Sequence, residues 1–152
     1  MPRPPMTLAY AAAFLEQDGH DCSILDCPAE ELSWDQFEQN LRAQAPDALF
    51  INVTMPTLAE DVKAFKTAKE INPKILTIAK GADLYINDVK ILEFYKELDI
   101  GIQGEIDFSI QDIFKNLDNL TNVPGITYRD SSDEVHKNPK KEYDFDLDSF
   151  PF

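Results

Sequence analysis

In the stretch DALFINVTMPTLAEDVKAF, Asp47 to Phe65, an apolar run gives way abruptly to a helical pattern. Ala48–Val53 is apolar apart from Asn52, so both faces of the strand it predicts are greasy. A strand reads that way when helices cover it on each side, as in parallel α/β sheets. The run breaks at Thr54-Met55-Pro56-Thr57, and Leu58, Val62, Phe65 and Ala68 then recur at helical spacing. Thr57 with Glu60 reads as a capping box opening that helix. A buried strand, a polar turn and an amphipathic helix make one unit of such a sheet.

The same rhythm extends in both directions. Upstream, TLAYAAAFLEQD (7–18) places Leu8, Ala11, Ala12 and Leu15 on one helical stripe, stopped by Gly19. CSILD (22–26) reads as a short buried strand. Ser33 and Gln36 form a capping box, with Leu32 and Phe37 as its hydrophobic staple, for a helix ending near Gln44, before Pro46. Downstream, KILTIAKG (74–81) predicts a second buried strand and a helix follows around 88–98. IGIQG (100–104) predicts a short strand and DFSIQDIFKNL (107–117) a helix. Alternating strands and helices with short links predict a flavodoxin-like, Rossmann-like three-layer α/β fold with a parallel sheet. After Pro124 the pattern becomes a hairpin around a Ser-Ser-Asp turn, then an acidic tail. We divide the chain into an α/β domain over 1–123 and a hairpin with linker over 124–152.

Such a sheet normally opens with a strand that sits centrally in the order 2-1-3-4-5. This chain opens with prolines and a helix, which predicts a version lacking that first strand. Either the 125–130 strand fills the gap, or a partner chain, such as a second copy, closes the sheet.

Composition narrows the partners. A formal charge of -14 disfavours nucleic acid and anionic membranes. No apolar run approaches the roughly 20 residues of a membrane span, and MPRPPM is no targeting segment. Two cysteines, Cys22 and Cys27, fit structural thiols in a reducing cytoplasm. His20 and His136 read as solvated surface side chains. Dinucleotide, P-loop and nucleophile-elbow motifs are absent, so no residue receives a catalytic role and none a metal.

Ligands of open α/β sheets bind beyond the carboxyl ends of the strands. Three loops qualify here: Thr54-Met55-Pro56-Thr57, Lys80-Gly81-Ala82-Asp83 and Gln103-Gly104-Glu105. Each has a plainer reading: Thr57 serves as an N-cap, and Gly81 and Gly104 as turn residues. The Thr54 hydroxyl has no evident local partner. Tyr85 and Tyr95 read as partial core.

Taken in order, PRPPMTLAYAAAFLEQDGHDCSILD, PDALFINVTMPTL, KEINPKILTIAKG, IGIQGEIDFSIQDIF, VPGITYRD and DLDSFPF resemble the N-terminal cobalamin-binding domain of B12-dependent radical SAM proteins. The resemblance implies a corrin on the carboxyl edge of the sheet, with its nucleotide tail reaching down between strands. By position it assigns cofactor contacts to Thr54, Met55, Thr57, Lys80, Gly81, Asp83, Gly104 and Glu105. The D-x-H-x-x-G motif is missing, which implies base-off cobalamin without a histidine ligand. The resemblance further implies a radical SAM domain, in cis or trans, that would hold the 4Fe-4S cluster and S-adenosylmethionine. This chain would then be a binding module of a methyltransferase-like enzyme and not itself catalytic. The alternative is a flavodoxin-like interaction or regulatory domain that has lost the cofactor.

Overall fold

A computed structural model describes residues 4–104 and 109–140. The chain runs through α1 (Met6–Gln17), α2 (Trp34–Gln44), β1 (Ala48–Asn52), α3 (Leu58–Ile71), β2 (Leu76–Lys80), α4 (Ala82–Ile86) and α5 (Asp88–Phe94). It continues through β3 (Ile100–Ile102), α6 (Ser109–Lys115), β4 (Ile126–Arg129) and β5 (Val135–Lys137). The five strands lie side by side in chain order. β1, β2 and β3 are parallel, whereas β4 and β5 are antiparallel additions beyond β3.

Strand alternation sorts the core into two layers. Ile78, Ile100, Ile102, Ile126 and Tyr128 face α1 and α6, where Ala11, Phe14, Ile110 and Ile113 meet them. Ala79 on the opposite face packs with Val62 and Phe65 of α3, with Leu84, and with Ile91 and Leu92 of α5. α2 rests on α3 through Leu41, Ala68 and Ile75. Gly101 points into the second layer, where an added methyl would sit 3.0 Å from the Leu84 side chain and 3.1 Å from Leu92. The three-layer α/β architecture predicted from sequence is therefore the one observed.

Local chemistry explains the element ends. Ser33 accepts from the Gln36 amide and the Gln36 side chain accepts from the Ser33 amide, completing the expected capping box. Gly19 ends α1 at a φ of 87°. The Arg129 guanidinium, from β4, donates to the Leu92 and Tyr95 carbonyls and so satisfies the C-terminal end of α5. At the amino edge, the Asp99 carboxylate accepts from the Thr77 amide at 2.9 Å and from the Lys69 ammonium at 2.5 Å, tying β2, β3 and α3 together.

Four expectations are corrected. CSILD forms no strand, and its residues run half-buried or exposed. A strand needs a ladder partner, and β1 does not lie beside it. Thr57 and Glu60 form no capping box: the Thr57 side chain makes no cap hydrogen bond, and a 3-10 turn, Met55–Thr57, precedes α3. The helix expected around 88–98 is α5, which ends already at Phe94, and a short α4 that was not expected precedes it. Ile126–Arg129 does not fill the gap left by the absent first strand, since it pairs with β3 at the far side of the sheet.

Candidate functional site

The carboxyl ends of β1, β2 and β3 form a rim. Beyond β1, Thr54 and Thr57 bring their hydroxyl oxygens to 2.8 Å, and the Thr57 hydroxyl donates to the Asp61 carboxylate at 2.7 Å. One proton arrangement satisfies both contacts: Thr54 donates to Thr57, and Thr57 to Asp61. The Thr54 oxygen is then left with lone pairs for an incoming donor. The backbone N–H of Thr54 also points at Asp61, at 3.4 Å. Asp61 escaped the sequence reading, although its position four residues after Thr57 places it one helical turn along.

Beyond β2, Lys80 is the last ladder residue, opposite Asn52 of β1 and Ile102 of β3. Gly81 is packed against the end of the first strand unit. A methyl there would meet the Val53 carbonyl oxygen at 2.2 Å. Its missing side chain thus serves the protein's own packing, which locks the β1 and β2 loops together. Asp83 falls within α4. Beyond β3, Gly104 adopts a φ of 90°, in the left-handed region that disfavours side chains. A methyl there would lie 3.5 Å from the Tyr85 ring and 2.6 Å from the Lys140 ammonium. Glu105 lies outside the described residues.

The rim is apolar as well as polar. Met55 is 64% exposed, Tyr85 60% and Ile86 77%, so three large side chains stand uncovered above the strand ends. The exposure of Tyr85 corrects the expectation that it is partial core. Met55 lies in the 3-10 turn after β1, and Tyr85 and Ile86 lie in α4 after β2.

Below the rim the sheet is pinned by a buried polar group set. Asp88 of α5 accepts from the Thr127 hydroxyl and from Lys137 at 2.9 Å. Gln103 donates to Thr127 at 3.1 Å, and its own amide N–H donates to the Gly125 carbonyl at 2.8 Å. These contacts fix the residue preceding Gly104 against the hairpin.

A cavity of about 1580 Å³ opens beside Asn52 and Asp61 and runs down β1 between α1, the 20–28 segment and α2. It exceeds the roughly 300–1,000 Å³ of common small-ligand pockets. Cys22 and Cys27 line it, and burial followed by neighbouring carboxylates pushes both thiols up from their ordinary range.

His20 is exposed, as expected, with its ring 5.0 Å from that of Phe114. His136 stacks on Tyr128 and reaches the Asp130 carboxylate at 2.7 Å. Asp130, Glu134 and His136 bring potential ligand atoms within 4.8 Å of one another. Asp130 is already engaged, accepting from the Ser132 and Glu134 amides. Hydrogen bonds from Ser132 first, and then His136, hold its carboxyl well below the usual range. The set is a hairpin-turn network.

Open α/β sheets of this kind form a class in which ligands, where bound, sit beyond the carboxyl ends of the strands. The B12-binding domain family matches residues 2–107, and the chain belongs to that family. It is 22% identical over 151 residues, 97% of its length, to an uncharacterized methyltransferase of Pyrococcus horikoshii, of which it covers 32%. It is 27% identical over 103 residues, 67% of its length, to the anaerobic magnesium-protoporphyrin IX monomethyl ester cyclase of Rubrivivax gelatinosus, of which it covers 19%. The fold matches the cobalamin-dependent S-adenosylmethionine radical enzyme OxsB, solved with aqua-cobalamin and S-adenosylmethionine. The TM-score there is 0.77 at 20% identity, across 97% of this chain and 21% of that one. The apo form of the same enzyme matches with a TM-score of 0.69. The chain therefore spans a third or less of each protein it resembles. No helix among the described residues is long and apolar enough to cross a membrane.

Proposed function

We propose that this chain is the cobalamin-binding module of a radical SAM enzyme of methyltransferase type, and that it holds the corrin at the carboxyl edge of its sheet. The observation that carries the reading is the rim itself, within a chain of the B12-binding family. Met55, Tyr85 and Ile86 would cover one face of the macrocycle. The Thr54 oxygen would accept from a peripheral carboxamide. Gly104, kept bare by its backbone conformation and flanked by Lys140, would admit close approach of the ring edge. Thr57 and Asp61 position Thr54. By resemblance, Lys80, Asp83 and Glu105 would make further contacts to the cofactor. The cavity beside Asn52 has room for the nucleotide tail.

When bound, the cofactor supplies cobalt-centred group transfer that no side chain here provides. The chain's own work is to bind, orient and shield. With no D-x-H-x-x-G motif, the cofactor would be held base-off with no histidine on cobalt. The 4Fe-4S cluster and S-adenosylmethionine would belong to a radical SAM domain, in cis or in trans. Two free cysteines suit a cytoplasmic setting.

The test is direct. Hydroxocobalamin mixed with the protein and passed over a desalting column should leave shifted corrin absorbance in the protein fraction. Thr54→Val should weaken retention without changing the melting temperature. A colourless protein fraction at high micromolar cobalamin contradicts the reading.

A further inference from the structure

The Thr54 hydroxyl stands two hydrogen bonds from a carboxylate, and that carboxylate fixes its direction. Thr57 Oγ1 carries one proton and lies 2.7 Å from Asp61 Oδ2, against 3.3 Å from the Thr54 carbonyl oxygen. The charged acceptor is both nearer and stronger, so the proton goes to Asp61. Thr54 must then donate across the 2.8 Å contact to Thr57. Its backbone N–H also turns to Asp61, at 3.4 Å. Both donors of Thr54 are thus spent inward, along a chain that ends on one negative charge. An oxygen lone pair with an anion behind it faces the rim.

The surroundings leave that charge in force. Among the described residues no lysine or arginine pairs with Asp61. The amino end of α3 would attract an anion by itself, but Glu60 and Asp61 in its first turn already answer it. The rim's cations are directed elsewhere. Lys80 leaves β2 on the side of Ile78, towards α1 and α6, whereas α3 covers the opposite face. The Lys140 ammonium lies over Gly104 beyond β3, two strands across and so about 10 Å away at the usual strand spacing. Lys63 sits over the Trp34 ring, 4.2 Å from its centroid.

We propose that Asp61 makes the β1 end of the rim select carboxamides and reject carboxylates, so that the site distinguishes a fully amidated corrin from one carrying a free acid at that edge. The inference rests on the cobalamin reading above and names what that site discriminates. A peripheral carboxamide donates an N–H to the Thr54 oxygen. A carboxylate of the same size has no proton to give at neutral pH, and it sets lone pairs against a lone pair. It also meets the Asp61 charge carried up through Thr57. Selectivity therefore comes from a repulsive element as much as from the bond gained. The rim is open to solvent, which screens the effect to about tenfold. Asp61 touches no ligand in this arrangement; it acts through Thr54 as a positioning residue.

Equilibrium dialysis of the full chain at low salt tests it. The probes are hydroxocobalamin and the series of its monocarboxylic acids, each with a different peripheral carboxamide hydrolysed. The acids share the same added charge, so the chain's overall repulsion acts on all of them alike, and they differ in where the carboxylate falls. One acid should bind about tenfold more weakly than the rest of the series. Asp61→Asn keeps an acceptor for Thr57 and removes the charge, and it should shrink that spread about fivefold or more. Glu60→Gln removes the neighbouring charge outside the hydrogen-bond chain and should leave the spread in place. Each comparison is a ratio within one variant, so a general loss of stability or affinity cancels. Three results overturn the proposal: acids that all bind alike, a spread unchanged in Asp61→Asn, or one that Glu60→Gln abolishes equally. Hydroxocobalamin bound without such discrimination leaves the cofactor reading standing and sinks this proposal alone; no corrinoid bound at high micromolar concentration sinks both.

Discussion

Gly81→Ala tests whether the bare backbone between the β1 and β2 loops serves packing. The new methyl carbon would lie 2.2 Å from the Val53 carbonyl oxygen, 2.8 Å from Val53 Cγ2 and 3.0 Å from its carbonyl carbon. The first and last are backbone atoms, so no rotamer change relieves them. The end of β1 would have to move, at the expense of the 2.7 Å bond from Val53 N–H to the Lys80 carbonyl. Overpacking costs about 1–3 kcal/mol, and an immovable partner puts this site at the upper end. For a domain of this size about 3 kcal/mol lowers the melting temperature by roughly 6–12 °C. Gly19→Ala is the matched control, because nothing lies within 4 Å of its added methyl. Only its backbone conformation resists, at about 1–2 kcal/mol. Thermal unfolding followed by far-ultraviolet circular dichroism reads both. Equal losses in the two variants, or a loss of under about 2 °C for Gly81→Ala, would refute the packing argument.

Three further outcomes are expected. Asp99→Ala strips the Thr77 amide and the Lys69 ammonium of a shared acceptor and should cost about 3 kcal/mol in urea unfolding, with Asp99→Asn costing less. Cys22 and Cys27, with thiols raised by burial and carboxylates, should react with iodoacetamide at neutral pH more slowly than an unhindered cysteine; rates equal to it would contradict the assignment. Asp130 has its folded-state carboxyl held below the ordinary value of about 3.9, so its contribution to the hairpin is complete above that pH and fades as acid takes the pH below it. Carbon-detected titration should show Asp130 ionised after ordinary aspartates have protonated, and a normal midpoint would refute this.

Much of this architecture was readable where one residue pair decides one element. The Ser33–Gln36 box, the apolar Ala48–Val53 run and the hairpin after Pro124 all rest on local chemistry. The failures arise where a distant partner decides. Cys22–Asp26 has strand composition, but composition supplies no ladder. Thr57 had two acceptable fates, a cap or a bond to Asp61, and the intervening 3-10 turn chose the second. Ile126–Arg129 reads as a strand from either edge, and it adds to β3, where Gln103 N–H meets the Gly125 carbonyl. At the rim, the loops were legible from the strand ends, whereas the exposure of Met55, Tyr85 and Ile86 was not. Exposure belongs to tertiary packing. The resemblance to B12-dependent radical SAM proteins, stated from motifs alone, stands with the family match and the shared fold.

A corrin held on the carboxyl edge of this sheet would perturb the backbone there. Backbone amide shifts recorded with rising hydroxocobalamin read this out. Thr54, Gly81 and Gly104 should move with a common saturating dependence, while Lys69 and Asp99 at the opposite edge stay still. Shifts confined to that opposite edge, or none at a millimolar excess, would contradict it.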